Sequence, residues 1–220
     1  MKRKLKQIFK RLYSVFGEQH WWPADSVFEI LVGTILTQNT SWSNVQKAIF
    51  ALKKKKLLNA RGLYQLPQKQ LAGLIKSSGY YNLKAVRLKS FLKFFFDCYA
   101  AKISRLGEED FKTLRAQLLA VKGIGPETAD SMLLYALNKP VFVVDAYTKR
   151  IFSRHGIVKA SADYYQVQDI FMRNLKLDAK LFGEYHALLV KLGKDYCRKQ
   201  NPKCEICPLS WQKGKQKGTS

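Results

Sequence analysis

The sequence predicts an all-α protein. Apolar residues recur at three- and four-residue spacing through most of the 220 residues, the pattern of helices with one buried face. A single run, Val141-Phe142-Val143-Val144, reads as a strand, too little to build a sheet. A hydrophobic content of 47% is that of a globular chain, long enough for one core or two small ones.

Met1 to Phe16 is basic and carries Leu5, Ile8, Phe9, Leu12, Val15 and Phe16 on one helical face. It lacks a continuous apolar stretch and a small-residue cleavage site, so it reads as a helix rather than a signal peptide. His20-Trp21-Trp22-Pro23 is a bulky turn, because Pro23 disfavours helix at Trp22. Val27, Ile30, Leu31 and Ile35 mark a helix from about Asp25 to Leu36. The polar break Thr37-Gln38-Asn39-Thr40 follows, and Thr40 or Ser41 suits the N-cap of a helix with Val45, Ile49 and Leu52 inward. Lys53 to Lys56 complements the C-terminal dipole of that helix, as a solvated surface or a DNA contact. Gln68 to Ser77 reads as a short helix, broken by Gly79-Tyr80-Tyr81-Asn82. A long helix from Leu83 to about Ala100 holds Phe91, Leu92, Phe94, Phe95 and Phe96, with Cys98 expected to pack as a small hydrophobe. Beyond Asp145, helices are expected over Ala146 to Arg154, Ala162 to Leu175 and Ala179 to Tyr196, and the Lys- and Gly-rich tail from Lys213 is expected to be disordered.

Between two apolar-periodic segments lies Val121-Lys122-Gly123-Ile124-Gly125-Pro126-Glu127. Gly123 and Gly125 relieve the Cβ clash of a tight helix-to-helix turn, and Pro126 suits the first position of the second helix. The N–H groups of that turn and helix start would face outward and suit one DNA phosphate. An ordinary αα-hairpin with a glycine turn is the alternative.

Thirty-nine Lys and Arg against 16 Asp and Glu give a net charge of +23. Such a surface attracts a polyanion in a salt-dependent way, and nucleic acid is the natural partner. No run reaches membrane-spanning length. Four cysteines, three of them bunched at the end, do not form the framework of a secreted disulfide domain, so a cytoplasmic location is expected.

The Gly-x-Gly hairpin, the apolar run Val141 to Val144 and the carboxylate Asp145 opening the next helix together resemble the helix-hairpin-helix DNA glycosylases of the endonuclease III type. The resemblance covers residues 20 to 208. It implies two helical lobes with the active site in the cleft between them. One lobe spans residues 23–136; the other combines residues 1–22 with 137–212, and residues 213–220 form the tail. It also implies that double-stranded damaged DNA is the partner, that the protein acts as a monomer at the nucleoid, and that Lys122, Gly123, Ile124 and Gly125 contact the backbone. Asp145 matches the catalytic Asp. A carboxylate there stabilises an oxocarbenium-like sugar and orients water; read alone, Asp145 is equally a helix N-cap. Bifunctional relatives carry a nucleophilic Lys two residues after the second hairpin glycine. Here that residue is Glu127, which cannot form an imine, so the expectation is a monofunctional enzyme. Glu127 is then a second acid/base or a helix-capping group. Base flipping would use Gln38 to fill the vacated gap and Tyr80 as the wedge; solvated-loop and core-aromatic roles are their alternatives.

Trp21-Trp22-Pro23 and Thr37-Gln38-Asn39-Thr40-Ser41-Trp42 resemble one branch, the endonuclease III-like 3-methyladenine DNA glycosylases. Trp21, Trp22, Pro23 and Trp42 are the pocket residues that this implies. Aromatic faces attract cationic alkylpurines with ~0.5–2 kcal/mol each, and such bases are good leaving groups. Oxidised pyrimidines or mismatched bases as substrates, and a non-catalytic DNA-binding homologue, are the competing functions. Near the end, Cys197-x6-Cys204-x2-Cys207 matches the first three ligands of the family's [4Fe–4S] motif, but the fourth position is Lys213. A structural cluster, a cluster-free loop and a zinc site remain open readings.

Overall fold

In the computed structural model, which describes residues 1–210, six of the twelve α-helices begin where a side chain caps them. In chain order the twelve are α1 (Lys2–Phe16), α2 (Val27–Leu36), α3 (Trp42–Lys54), α4 (Ala60–Gln65), α5 (Gln68–Leu74), α6 (Tyr81–Tyr99), α7 (Ile103–Glu108), α8 (Phe111–Ala120), α9 (Pro126–Ser131), α10 (Ala146–Arg154), α11 (Tyr164–Asn174) and α12 (Ala179–Asp195). A 3₁₀ turn (Lys76–Ser78) follows α5 and a π turn (Met132–Ala136) follows α9. Ser26, Asn59, Asp110, Asp145, Asp163 and Asp178 each accept a hydrogen bond from a backbone N–H in the first turn they precede. Asp163 with Gln166 completes a reciprocal capping box. The fold is all-α, with no strand among the described residues. The expected tail, including Lys213, lies outside them.

Several boundaries differ from the sequence reading, each for a local reason. Helix α2 starts after Ser26 rather than at Asp25, because the Ser26 hydroxyl takes the Glu29 N–H. Ser41 precedes α3 without capping it, its hydroxyl lying 3.0 Å from that of Ser43. Helices α4 and α7, six residues each, are too short to show periodicity in the sequence.

The described chain divides into two compact units, Trp22–Lys139 and Met1–Trp21 together with residues 140–210. In the first, α2 is buried almost all round and packs against α3, α6, α9 and the π turn. Helix α6 turns Leu88, Phe91, Leu92, Phe95 and Tyr99 inward, with the Phe91 and Phe95 rings 5.8 Å apart. That face leaves Cys98 exposed beside Asp97, so it is not the buried small hydrophobe expected.

In the second unit α1 lays Leu5, Ile8 and Leu12 against α11 and α12, and the Tyr185 hydroxyl donates to the Leu5 carbonyl at 3.0 Å. Val15, expected on this face, is exposed. The strand-like run Val141 to Val144 is fully buried yet forms no strand, because side chains satisfy its backbone. Gln168 Nε2 donates to the Phe142 carbonyl at 2.7 Å, and the Val144 N–H donates to the Tyr164 hydroxyl at 3.4 Å. Phe142 stacks on Phe171 at 3.5 Å and meets the edges of Phe182 and Tyr185. This aromatic centre anchors the segment that delivers Asp145.

Candidate active site and nucleic-acid interface

Asp145 stands where the buried run ends and α10 begins. Its Oδ1 accepts the Thr148 N–H at 2.7 Å, the N-cap bond. Its Oδ2 lies 3.5 Å from Nε2 of His186, which α12 supplies; only 8% of the His186 side chain and 12% of the Asp145 side chain are exposed. Burial works to raise the Asp145 carboxyl, but the hydrogen bond and charge of His186 and the bonds from Thr148 outweigh it, and the group is held below its ordinary value. A depressed folded-state value means that ionised Asp145 stabilises the fold above the ordinary carboxylate range, and that this contribution is lost as pH falls through the lowered value. A ¹³C NMR titration of the Asp145 carboxyl should therefore give a midpoint below about 3.9; a midpoint at or above it would contradict the His186 contact.

The other unit carries the hairpin. The Ile124 N–H bonds the Val121 carbonyl at 3.0 Å, and Gly125 leads into Pro126 at the first position of α9. Gly123 sits at φ +90°, and a Cβ there would lie 2.3 Å from Arg87 Cγ, so both conformation and space demand glycine. Gly125 is different: its φ is −95° and a Cβ would meet nothing within 4 Å, so the expected steric need applies to Gly123 alone. Ile124 is buried beneath the turn, while Lys122 and Glu127 are exposed, Glu127 in the first turn of α9. Arg115 on α8 grips the fully buried Asp130 of α9 through Nε at 2.7 Å and Nη2 at 3.0 Å.

Gln38 is held rather than loose. Its Nε2 donates to the Gly123 carbonyl at 3.1 Å and to Thr128 Oγ1 at 2.9 Å, and Arg87 Nη1 donates to its Oε1. Tyr80 is 69% exposed, at φ +44°, directly after Gly79 at φ +69°. An exposed aromatic residue in the left-handed region is uncommon.

Of the four pocket residues expected, the structure brings two together and adds one. Trp22 meets Trp42 edge-on at 5.1 Å and Tyr135 at 5.3 Å. The Trp22 indole lies over Gly33, where a Cβ would approach it to 3.3 Å. Tyr135 carries no signal in the sequence, because the π turn that holds it breaks helical spacing. Pro23 is exposed. Trp21 belongs to the other unit, where Lys194 Nζ lies 5.6 Å from its ring centroid.

Cys197, Cys204 and Cys207 line a small cavity with Arg154, His155 and Lys203. The donor set does not fit a four-thiolate cluster. Cys98 is exposed on α6, and among the described residues no three His, Cys, Asp or Glu side chains gather closely enough to hold a metal ion. Arginines hold the loop instead: Arg150 Nε donates to the Cys197 carbonyl at 2.7 Å, and Arg154 to the carbonyls of Arg198 at 2.6 Å and Lys199 at 3.0 Å.

With this geometry in place, the comparisons with known proteins are specific. The sequence profile of the HhH-GPD superfamily base excision DNA repair protein matches residues 32–177. The chain belongs to this superfamily. It is 46% identical, over 92% of both chains, to a candidate DNA repair glycosylase of Methanocaldococcus jannaschii. It is 31% identical to the endonuclease III of Thermotoga maritima, covering 93% of this chain and 90% of the relative. Among solved structures, the H. pylori 3-methyladenine DNA glycosylase MagIII bound to 1,N6-ethenoadenine superimposes with a TM-score of 0.76 at 29% identity, covering 86% of this chain and 97% of the other. An endonuclease III–DNA complex shares the fold, with a TM-score of 0.83 at 22% identity over 96% and 94% of the two chains. For this HhH-GPD DNA glycosylase no helix among the described residues is long and apolar enough to cross a membrane.

Proposed function

We propose that the protein is a monofunctional DNA glycosylase that hydrolyses the N-glycosidic bond of alkylated purines such as 3-methyladenine. The observation that carries the reading is Glu127, an exposed carboxylate in the first turn of α9, where the resemblance puts an amine in bifunctional enzymes. The Trp22, Trp42 and Tyr135 set and the likeness to a 3-methyladenine glycosylase support the substrate class.

Water attacks C1′ of the flipped nucleotide, and the bond to the purine breaks with its electron pair going to the base. A cationic alkylpurine leaves as a neutral molecule, so no strong general acid is required. Asp145, ionised and fixed by Thr148 and His186, stabilises the positive charge on the sugar. The water proton passes to that carboxylate and on to solvent. Lys122 and the N–H groups of Gly123 and Gly125 hold a phosphate, Tyr80 enters the stack, and Gln38 fills the gap. No step uses a metal or a cluster.

The test incubates the purified protein with methylated DNA, identifies released bases by chromatography, and scores a labelled duplex for breaks with and without alkali. Free 3-methyladenine, with breaks only after alkali, is the expected result. Breaks without alkali would overturn the role given to Glu127. Release of oxidised pyrimidines instead would favour the endonuclease III reading that the Thermotoga relative suggests. DNA binding with no base released would favour a non-catalytic homologue.

A further inference from the structure

Lys84 is 1% exposed, in the first turn of α6. Charged side chains are seldom buried so deeply unless something specific holds them. Its Nζ donates to the Leu36 carbonyl at 2.8 Å and to the Ser78 carbonyl at 2.6 Å. Both acceptors are helix ends: Leu36 closes α2 and Ser78 closes the 3₁₀ turn. Carbonyls there lack helical partners and carry the negative end of the dipole, so one ammonium satisfies two C-termini at once. Gln38 lies two residues beyond Leu36, and Tyr80 two residues beyond Ser78. The Lys84 backbone N–H also bonds the Tyr80 carbonyl at 2.9 Å. One helical turn further along α6, Arg87 holds the Gln38 side chain itself.

We propose that Lys84 is a positioning residue that couples the Gln38 loop to the Tyr80 turn, so that the gap-filling side chain and the wedge enter DNA as one rigid unit. The inference rests on the reading of Gln38 and Tyr80 as DNA-inserting residues. Flipping one nucleotide needs both insertions at a fixed separation, and a separation set before DNA arrives removes the cost of ordering two loops on binding. Burial, and secondarily the Arg87 charge, pull Lys84 down to about 8. The pin survives that titration, because a neutral amine keeps two N–H donors for its two carbonyls.

The experiment uses the full chain and a duplex holding a tetrahydrofuran abasic analogue beside 2-aminopurine, whose fluorescence rises on unstacking. Lys84→Met keeps the stem and removes the donors. Expected is a drop in the unstacking rate of about ten- to a hundred-fold, the effect of leaving buried carbonyls unsatisfied. Affinity for undamaged duplex, which depends on phosphate contacts, should change by less than about two-fold. An unchanged unstacking rate in folded Lys84→Met overturns the coupling. A second measurement does not depend on that variant folding: Gln38→Ala, Tyr80→Ala and the double variant form a cycle in the Lys84 protein. Coupled loops predict that the double variant loses little beyond the worse single one, whereas strictly multiplicative losses overturn the proposal. If the unsubstituted protein produces no unstacking at all, the DNA-inserting roles themselves fail, an outcome distinct from either of these, and the coupling falls with them.

Discussion

Asp145→Asn is expected to abolish base release while leaving the protein folded and bound to DNA. The substitution is nearly isosteric, and an Asn carbonyl accepts the Thr148 N–H as the Asp Oδ1 does at 2.7 Å, so the start of α10 is kept. What disappears is the negative charge that faces His186 at 3.5 Å and, in the proposed reaction, the oxocarbenium-like sugar. Removing one preorganised electrostatic partner of a transition state costs about 10²–10³-fold in rate. Here the lost group carries a full charge, so the loss should reach at least the upper end of that range. Single-turnover release of 3-methyladenine measures the rate, and fluorescence anisotropy on an abasic-analogue duplex measures binding. Asp145→Ala separates the two roles of the residue, since it also removes the cap and should lower stability by about 1 kcal/mol. Near-normal release by Asp145→Asn would remove Asp145 from the mechanism and leave it a helix cap.

Features written in local sequence were legible. Asp145 reads as a helix cap and does cap α10, because the capping bond spans only a few residues, whereas Ser41, which also reads as a cap, makes no such bond to α3. The hairpin was legible because Gly123 tolerates the left-handed turn that other residues avoid and Pro126 fixes its own φ, whatever surrounds them. Asp145 was visible as a carboxylate ending an apolar run. Its partner was not: His186 lies among Tyr185, Ala187, Leu188 and Leu189 on a helix whose pattern reports only burial. Lys84 reads as a surface residue until the ends of two other helices are seen to converge on its Nζ. Val141 to Val144 has strand composition, but composition cannot reveal that Gln168 and Tyr164 occupy the backbone groups a neighbouring strand would use. The cysteine spacing suggested a ligand set, whereas the arginines holding that loop come from α10, far away in sequence.

The same distinction makes Asp130 the most exacting test of the hairpin. In sequence it is one more acidic residue after the glycine turn. In the structure its side chain is fully buried and both its oxygens are engaged by Arg115, itself 19% exposed. Asp130→Ala would strand a largely buried guanidinium between α8 and α9, and breaking such a pair from one side costs about 3–5 kcal/mol. For a chain of this size that corresponds to a fall in Tm of roughly 10 °C or more. Asp97→Ala, which breaks the exposed Lys93–Asp97 pair on α6, should leave Tm essentially unchanged. Thermal unfolding followed by circular dichroism compares the two directly. Replacing both partners, Arg115→Met with Asp130→Leu, should recover much of the loss, because most of the penalty is the unpaired charge rather than the missing bond. If Asp130→Ala melted like Asp97→Ala, the pair would not hold α8 to α9. The fixed presentation of the 123–125 turn would then have to come from the buried Ile124 and the Gln38 contacts alone.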